Sequence, residues 1–220
     1  MRKQRWWSVA PLCALAGPVW CQEVPVVELS ARAFNGREAA TYYGASIERS
    51  GWFLRGVKAE KGVSARAGKA TLFRGGSDIE LGGTLPVWKG ITPQLGVSLP
   101  DTPARRQKGA VTARLRWERS GLSLEPKAVL GRDALVGITV GGQRSIGGFT
   151  LQGSVTPLVH GKNGVDDITA RPERTTLWEA GVTRGNVTVG ATNALGSTTG
   201  FSLSPSIGGV ALIVKVKVAL

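Results

Sequence analysis

The chain has 220 residues, 31 of them glycine, with aromatics at 6% and charged residues at 20%. That length accommodates one undivided all-β unit, and that composition excludes a disordered chain. The formal charge of +13 suits anionic lipid headgroups or acidic solutes, and the export segment read below sets nucleic acid aside as a partner.

The first segment reads as a secretion signal. Arg2, Lys3 and Arg5 supply a positive start, and an apolar run from Trp6 to Trp20 follows. The run is too short to span a bilayer, and Pro11, Gly17 and Pro18 break helical continuity. Val19 and Cys21 are small enough to precede a cut ahead of Gln22, giving a signal over 1–21 and a mature domain over 22–220; a cut after Ala16 is the alternative. Lipidation of Cys21 is disfavoured by the bulky Trp20 beside it. Both cysteines, Cys13 and Cys21, fall in this segment, so the mature chain has no disulfide to staple a small scaffold. Losing Arg2, Lys3 and Arg5 lowers the charge from +13 to +10.

Downstream there is no helical period. Alternation with a period of two recurs instead, the signature of strands with one apolar and one polar face. The first such run is Val27 to Phe34, with Val27, Leu29, Ala31 and Ala33 on one side. Two weak runs follow between Trp52 and Phe73, where Arg55 and Lys69 interrupt the apolar face. Clear runs then place Ile79, Leu81 and Leu85 on one face, next Ile91, Pro93, Leu95, Val97 and Leu99, and next Val111, Ala113, Leu115 and Trp117. Leu122, Leu124, Pro126, Ala128 and Leu130 come after these, then Phe149, Leu151, Gly153 and Val155. Ser202, Ser204 and Ser206 alternate with Phe201, Leu203, Pro205 and Ile207. Turn signals separate the runs: Asn35-Gly36, Ser50-Gly51, Lys61-Gly62, Arg74-Gly75-Gly76, Lys89-Gly90, Ser120-Gly121, Gly131-Arg132-Asp133, Gly185-Asn186 and Gly208-Gly209. Long loops are expected only at Asp101 to Gly109 and at His160 to Arg171. The pattern predicts an antiparallel up-and-down transmembrane β-barrel of about 12–14 strands. By this count four strands separate the long loops and four follow them, which places the C-terminus on the side of the loops.

The last run favours a membrane barrel over a soluble sheet. Val210, Leu212, Val214, Val216, Val218 and Leu220 alternate with Ala211, Ile213, Lys215, Lys217 and Ala219 up to the chain end. This segment resembles the closing strand of outer-membrane barrels in general, departing from them in ending on Leu220 where they usually carry Phe or Trp. The resemblance implies a bacterial outer-membrane location, contact with outer-membrane lipid, and recognition of the C-terminal strand by barrel-insertion machinery. Aromatics flank turns, as interfacial girdles would: Trp52, Trp88, Trp117, Phe201, Tyr42 and Tyr43. The polar faces are rich in Ser, Thr, Gly and Gln, as a wet or packed interior accepts.

With the apolar face turned to lipid, Arg114, Arg116, Glu125, Lys127, Lys215 and Lys217 face inward and are the candidate lumen-lining residues. A basic lumen implies a passive pore or transport component favouring small anionic solutes. Two alternatives stand beside it: a non-conducting structural or adhesive barrel plugged by ion pairs, and a soluble secreted sheet that binds a ligand. The chemistry-bearing inventory is thin. His160 is the only histidine, at the edge of a long loop near Asp166 and Asp167, and it reads as a solvated side chain. Asn163, Asp166 and Asp167 read as an exposed acidic turn, and Arg105, Arg106 and Lys108 as a solvated basic one, with contact to anionic headgroups the functional option. No catalytic set, metal site or cofactor motif is expected, and the chain reads as a non-enzyme.

Overall fold

A computed structural model describes residues 26–35, 39–49, 51–66, 69–74, 77–101, 109–131, 134–162, 164–165, 172–174, 176–194 and 210–219. The expectations for the signal segment, for the serine-rich run at 201–207 and for Asn163, Asp166 and Asp167 lie outside the described residues.

The strands of the N-terminal half are β1 (Val26–Asn35), β2 (Ala39–Arg49), β3 (Trp52–Arg66), β4 (Lys69–Arg74), β5 (Ser77–Thr84), β6 (Ile91–Asp101) and β7 (Ala110–Arg119). The second half contributes β8 (Leu122–Leu130), β9 (Leu135–Ile146), β10 (Phe149–Thr156) and the short β11 (Leu158–His160), β12 (Gly164–Val165) and β13 (Pro172–Glu173). It ends with β14 (Leu177–Arg184), β15 (Val187–Thr192) and β16 (Ala211–Ala219). Antiparallel pairing runs round the ring in the order β1-β2-β3-β5-β6-β7-β8-β9-β10-β14-β15-β16, β12 and β13 pair apart from it, and β1 pairs with β16 from Val26↔Ala219 to Phe34↔Ala211. The sheet is therefore a closed 12-strand antiparallel barrel. Two of its staves are broken: β4 and β5 pair in succession with β3, and β10 and β11 in succession with β9. The break in the second falls at Pro157, which has no N–H to give to the ladder while its carbonyl still accepts from the Ile138 N–H.

Polarity is inverted relative to a soluble sheet. Leu81 is 57% exposed, Leu95 50%, Leu115 48% and Leu212 68%, whereas Glu80 is 0% exposed, Gln94 4%, Thr112 2% and Lys127 7%. Each contrast is between residues of alternating parity, so the period-two pattern sorts greasy side chains outward and polar ones into the barrel. This is the architecture of an up-and-down transmembrane β-barrel. Closure matters physically because hydrocarbon offers no partner to a backbone N–H or C=O, and a ring has no open edge.

Tight turns fall where Gly permits them. Lys89-Gly90 and Ser120-Gly121 both hold positive φ at both positions, 49° and 80° in the first and 50° and 80° in the second, the backbone that two-residue hairpins need. These turns and those at Gly51, Gly147-Gly148 and Gly185 lie at one end, together with both ends of the described chain, since Val26 pairs Ala219. The connections after Asp101, His160 and Thr192 lie at the other end.

Three expectations need correction. Lys61-Gly62 is not a turn: β3 runs through it, pairing Lys61 with Arg74 and Gly62 with Phe73, and the irregularity there is a bulge opposite Thr41 and Tyr42. Arg55 does not interrupt an apolar face. It lies on the inward face with Phe53, while Trp52 and Leu54 point out. Among the described residues three strands of the ring, not four, follow the second long connection, and β15 pairs directly with β16. The C-terminus therefore lies at the short-turn end. The aromatic expectation divides: Trp52, Trp88 and Tyr43 are exposed outside, Trp117 is half-buried on the outer face, Tyr42 is buried inside, and Phe201 is outside the described residues.

Candidate functional site

The lumen holds the chemistry, and its walls differ. Strands β2, β3, β5, β6 and β7 carry a charged cluster centred on Glu80. The register sets Arg55 opposite Glu80 and Gln94 opposite Arg114. The Arg114 guanidinium donates to both carboxylate oxygens of Glu80, at 2.9 and 2.7 Å, and Thr112 Oγ1 donates to the same carboxylate at 2.7 Å. Arg55 reaches Glu80 at 3.4 Å and Gln94 at 3.3 Å, and Gln94 Nε2 donates to Glu48 at 2.9 Å and to Thr84 at 3.2 Å. Ser98 Oγ donates to Asp78 at 2.8 Å.

Glu80 on β5 and Arg114 on β7 are separated by all of β6. They meet because Gly82 and Gly96 pair across β5 and β6, leaving the lumen surface low there. A Cβ on Gly82 would lie 2.4 Å from Phe53 Cζ, and one on Gly96 would lie 2.9 Å from Thr112 Oγ1. The Phe53 ring, 1% exposed, occupies that depression, with the Arg55 guanidinium 4.2 Å and the Arg114 guanidinium 5.9 Å from its centroid. A guanidinium near the face of an aromatic ring is attracted by the ring's quadrupole.

The opposite wall, β9, β10, β14 and β15, is lined by small neutral groups. Its inner faces present Thr139, Gly141, Gln143, Thr150, Gln152, Ser154, Gly181, Thr183, Thr188 and Gly190, and hydroxyls pair across strands as Thr139–Thr156 at 2.8 Å and Thr183–Thr188 at 2.7 Å. Among the described residues its one carboxylate is Glu179, bound by Lys215 of β16 at 2.5 Å. Here the lumen opens into a cavity of about 350 Å³ lined by Glu118, Ser123, Gln143, Gln152, Ser154 and Glu179 and reaching the short turn at Ser120-Gly121. Toward the other end, inward apolar side chains form a collar: Ala110, Val129, Leu135 and Leu158 cluster, and Leu177, Ala211 and Ile213 are buried at the same end of their strands.

All six sequence candidates lie on inward positions, and the structure separates them. Arg114 and Lys127 are buried, 7% exposed each, in or beside the charged cluster. Arg116 pairs with Glu118 at 2.6 Å in an exposed position toward the short-turn end. Glu125 is half-buried on β8, Lys215 holds Glu179, and Lys217 is exposed near the end of β16. Sequence reasoning missed Phe53, Arg55, Glu80 and Gln94 as a unit. The available signal was an acid and an arginine on neighbouring alternating runs; the register that joins them is non-local.

Composition suggested a basic lumen, and the described side chains do not form one. The inward cations Arg55, Arg114, Arg116, Lys127, Lys215 and Lys217 are balanced by Glu28, Glu48, Asp78, Glu80, Glu118, Glu125 and Glu179.

No protein-family model matches the chain. Comparison with curated proteins finds no match. Among solved structures the chain is similar to OccAB1 of Acinetobacter baumannii, at 9% identity and a TM-score of 0.31, over 76% of this chain and 63% of that one. So loose a likeness carries no functional weight.

Proposed function

We propose that the protein is an outer-membrane barrel acting as a passive pore or transport component for small polar solutes, with at most a weak preference for anions. The inversion of polarity carries the reading: a ring of strands with leucine and valine outside and carboxylates, arginines and hydroxyls inside is at its lowest free energy with acyl chains around it and water within. The secretion signal expected over 1–21 and the closing alternation of β16 fit export to the outer membrane and insertion through the C-terminal strand. The neutral wall supplies the path, and its cavity has the size of a small-solute site. Balance between inward cations and carboxylates removes the field that strong anion selection requires.

A non-conducting barrel is the second reading, favoured by the charged cluster across one side of the lumen and by the apolar collar toward the long connections. Purified full-length protein in planar bilayers separates them. Small steps with a reversal potential near zero in a salt gradient are expected of the pore. Insertion without current supports the closed barrel, and recovery as a soluble species without detergent removes both.

A further inference from the structure

The outer surface carries a feature that a pore does not require. At the short-turn end five cations stand among the outward and turn positions: Arg49 closes β2, Lys89 sits in the Trp88-Lys89-Gly90 turn, Arg119 closes β7, Arg144 lies in the last three residues of β9, and Arg184 closes β14. All five are exposed. Alternation places the four arginines on the same face as Ile47, Trp117, Val140 and Val182, not on the lumen side. None is ion-paired to a carboxylate among the described residues, and no outward position at the short-turn ends of the described strands is an Asp or Glu. Among the described side chains, a set of unpaired cations thus lines this outer rim, while the lumen is balanced. Aromatic rings accompany it. Lys89 Nζ lies 5.0 Å from the Trp88 ring centroid, and the Arg184 guanidinium lies 5.2 Å from that of Phe149.

Resting on the membrane reading, we propose that this rim binds the phosphodiester headgroups of anionic glycerophospholipids in the leaflet at the short-turn end. Guanidinium groups match phosphate oxygens in a two-pronged geometry, and they sit just beyond the apolar belt, at the depth where headgroups lie. The aromatic neighbours are the side chains that settle at the same boundary. Several cations spread around the circumference favour a shell of lipids over one deep pocket. The contact is also long-range enough in part to weaken with salt.

The test uses the full chain reconstituted into phosphatidylcholine vesicles carrying a minor fraction of phosphatidylglycerol, then extracted in mild detergent with its retained lipid quantified. Enrichment of phosphatidylglycerol over its bulk fraction is expected, falling as salt rises. Each of Arg119→Gln and Arg184→Gln is expected to lower the enrichment severalfold, by about fivefold at most. Lys58→Gln, outward but toward the long connections, leaves it unchanged. Insertion with retained lipid at the bulk ratio overturns the rim proposal and leaves the barrel reading intact. Failure to enter vesicles of either composition, with or without phosphatidylglycerol, overturns the membrane reading and the proposal with it. The salt dependence is read on the unaltered protein, so the proposal is exposed even where a variant does not fold.

Discussion

Two walls of one lumen solve the same problem differently. Between β2 and β7, large charged side chains fill the space, with Glu80 satisfied by Arg114, Arg55 and Thr112 around a buried phenyl ring. Between β9 and β15, glycine and short hydroxyl side chains leave it open, and hydroxyls satisfy one another across strands. Both are hydrogen-bonded interiors, but the first is held by interactions that are strong only as a set, and the second by weak and separable ones. The difference teaches where stability and permeation reside: the charged wall fixes the shape of the barrel, and the neutral wall is free to carry solute.

The sharpest way to break that distinction is to remove Glu80. Glu80→Ala deletes the carboxylate that two arginines and a threonine engage, and a loss of about 3–5 kcal/mol is expected from urea unfolding in micelles. Replacing Glu80 and Arg114 together by leucine is expected to fall nearer the wild type than Glu80→Ala, because no buried charge is then stranded. Equal losses in both would show that the cluster does not act as a set. Phe53→Ala comes next, at about 3 kcal/mol by the same measurement. The ring fills the Gly82–Gly96 depression and supports Arg55. A loss below about 1 kcal/mol would mean that the depression collapses without it.

Faces were legible in the sequence and partners were not, for one physical reason. A strand's two faces see different media at every step, so Leu95 and Gln94, or Leu115 and Arg114, are sorted by a local rule with period two. Register is decided between strands distant in sequence. Nothing near Arg55 announces Glu80, and the bulge opposite Thr41 and Tyr42 lets Lys61-Gly62 look like a turn while the strand continues. Alternation alone gives four strands after the second long connection, whereas the ladder from Val187↔Val216 to Thr192↔Ala211 joins β15 directly to β16. Net charge misled about the lumen because a sum over residues does not record faces: part of the excess sits on the outer rim as Arg49, Lys89, Arg119, Arg144 and Arg184.

On the neutral wall the expected effects are smaller. Thr188→Val removes one hydroxyl from the Thr183 pair at nearly constant volume, and a loss of about 1 kcal/mol is expected. A loss like that of Glu80→Ala would make this wall as cooperative as the other.

Ser154→Arg has the smallest expected effect on stability, within about 0.5 kcal/mol, because its half-buried side chain borders open cavity and has room to extend. Its effect on current should be the clearest of all. A cation added among the carboxylates of the charged wall is neutralised where it stands. One added beside Gln143, Gln152 and Gly141 shares its cavity with Glu179 and Glu118, and Lys215 and Arg116 already hold those carboxylates. Solute passing along the neutral wall then meets an uncompensated charge, so unit conductance falls and the reversal potential moves toward anion selection. If permeation instead follows the charged wall, Ser154→Arg leaves the reversal potential where it was, and Glu125→Gln, on the inward face of β8, moves it.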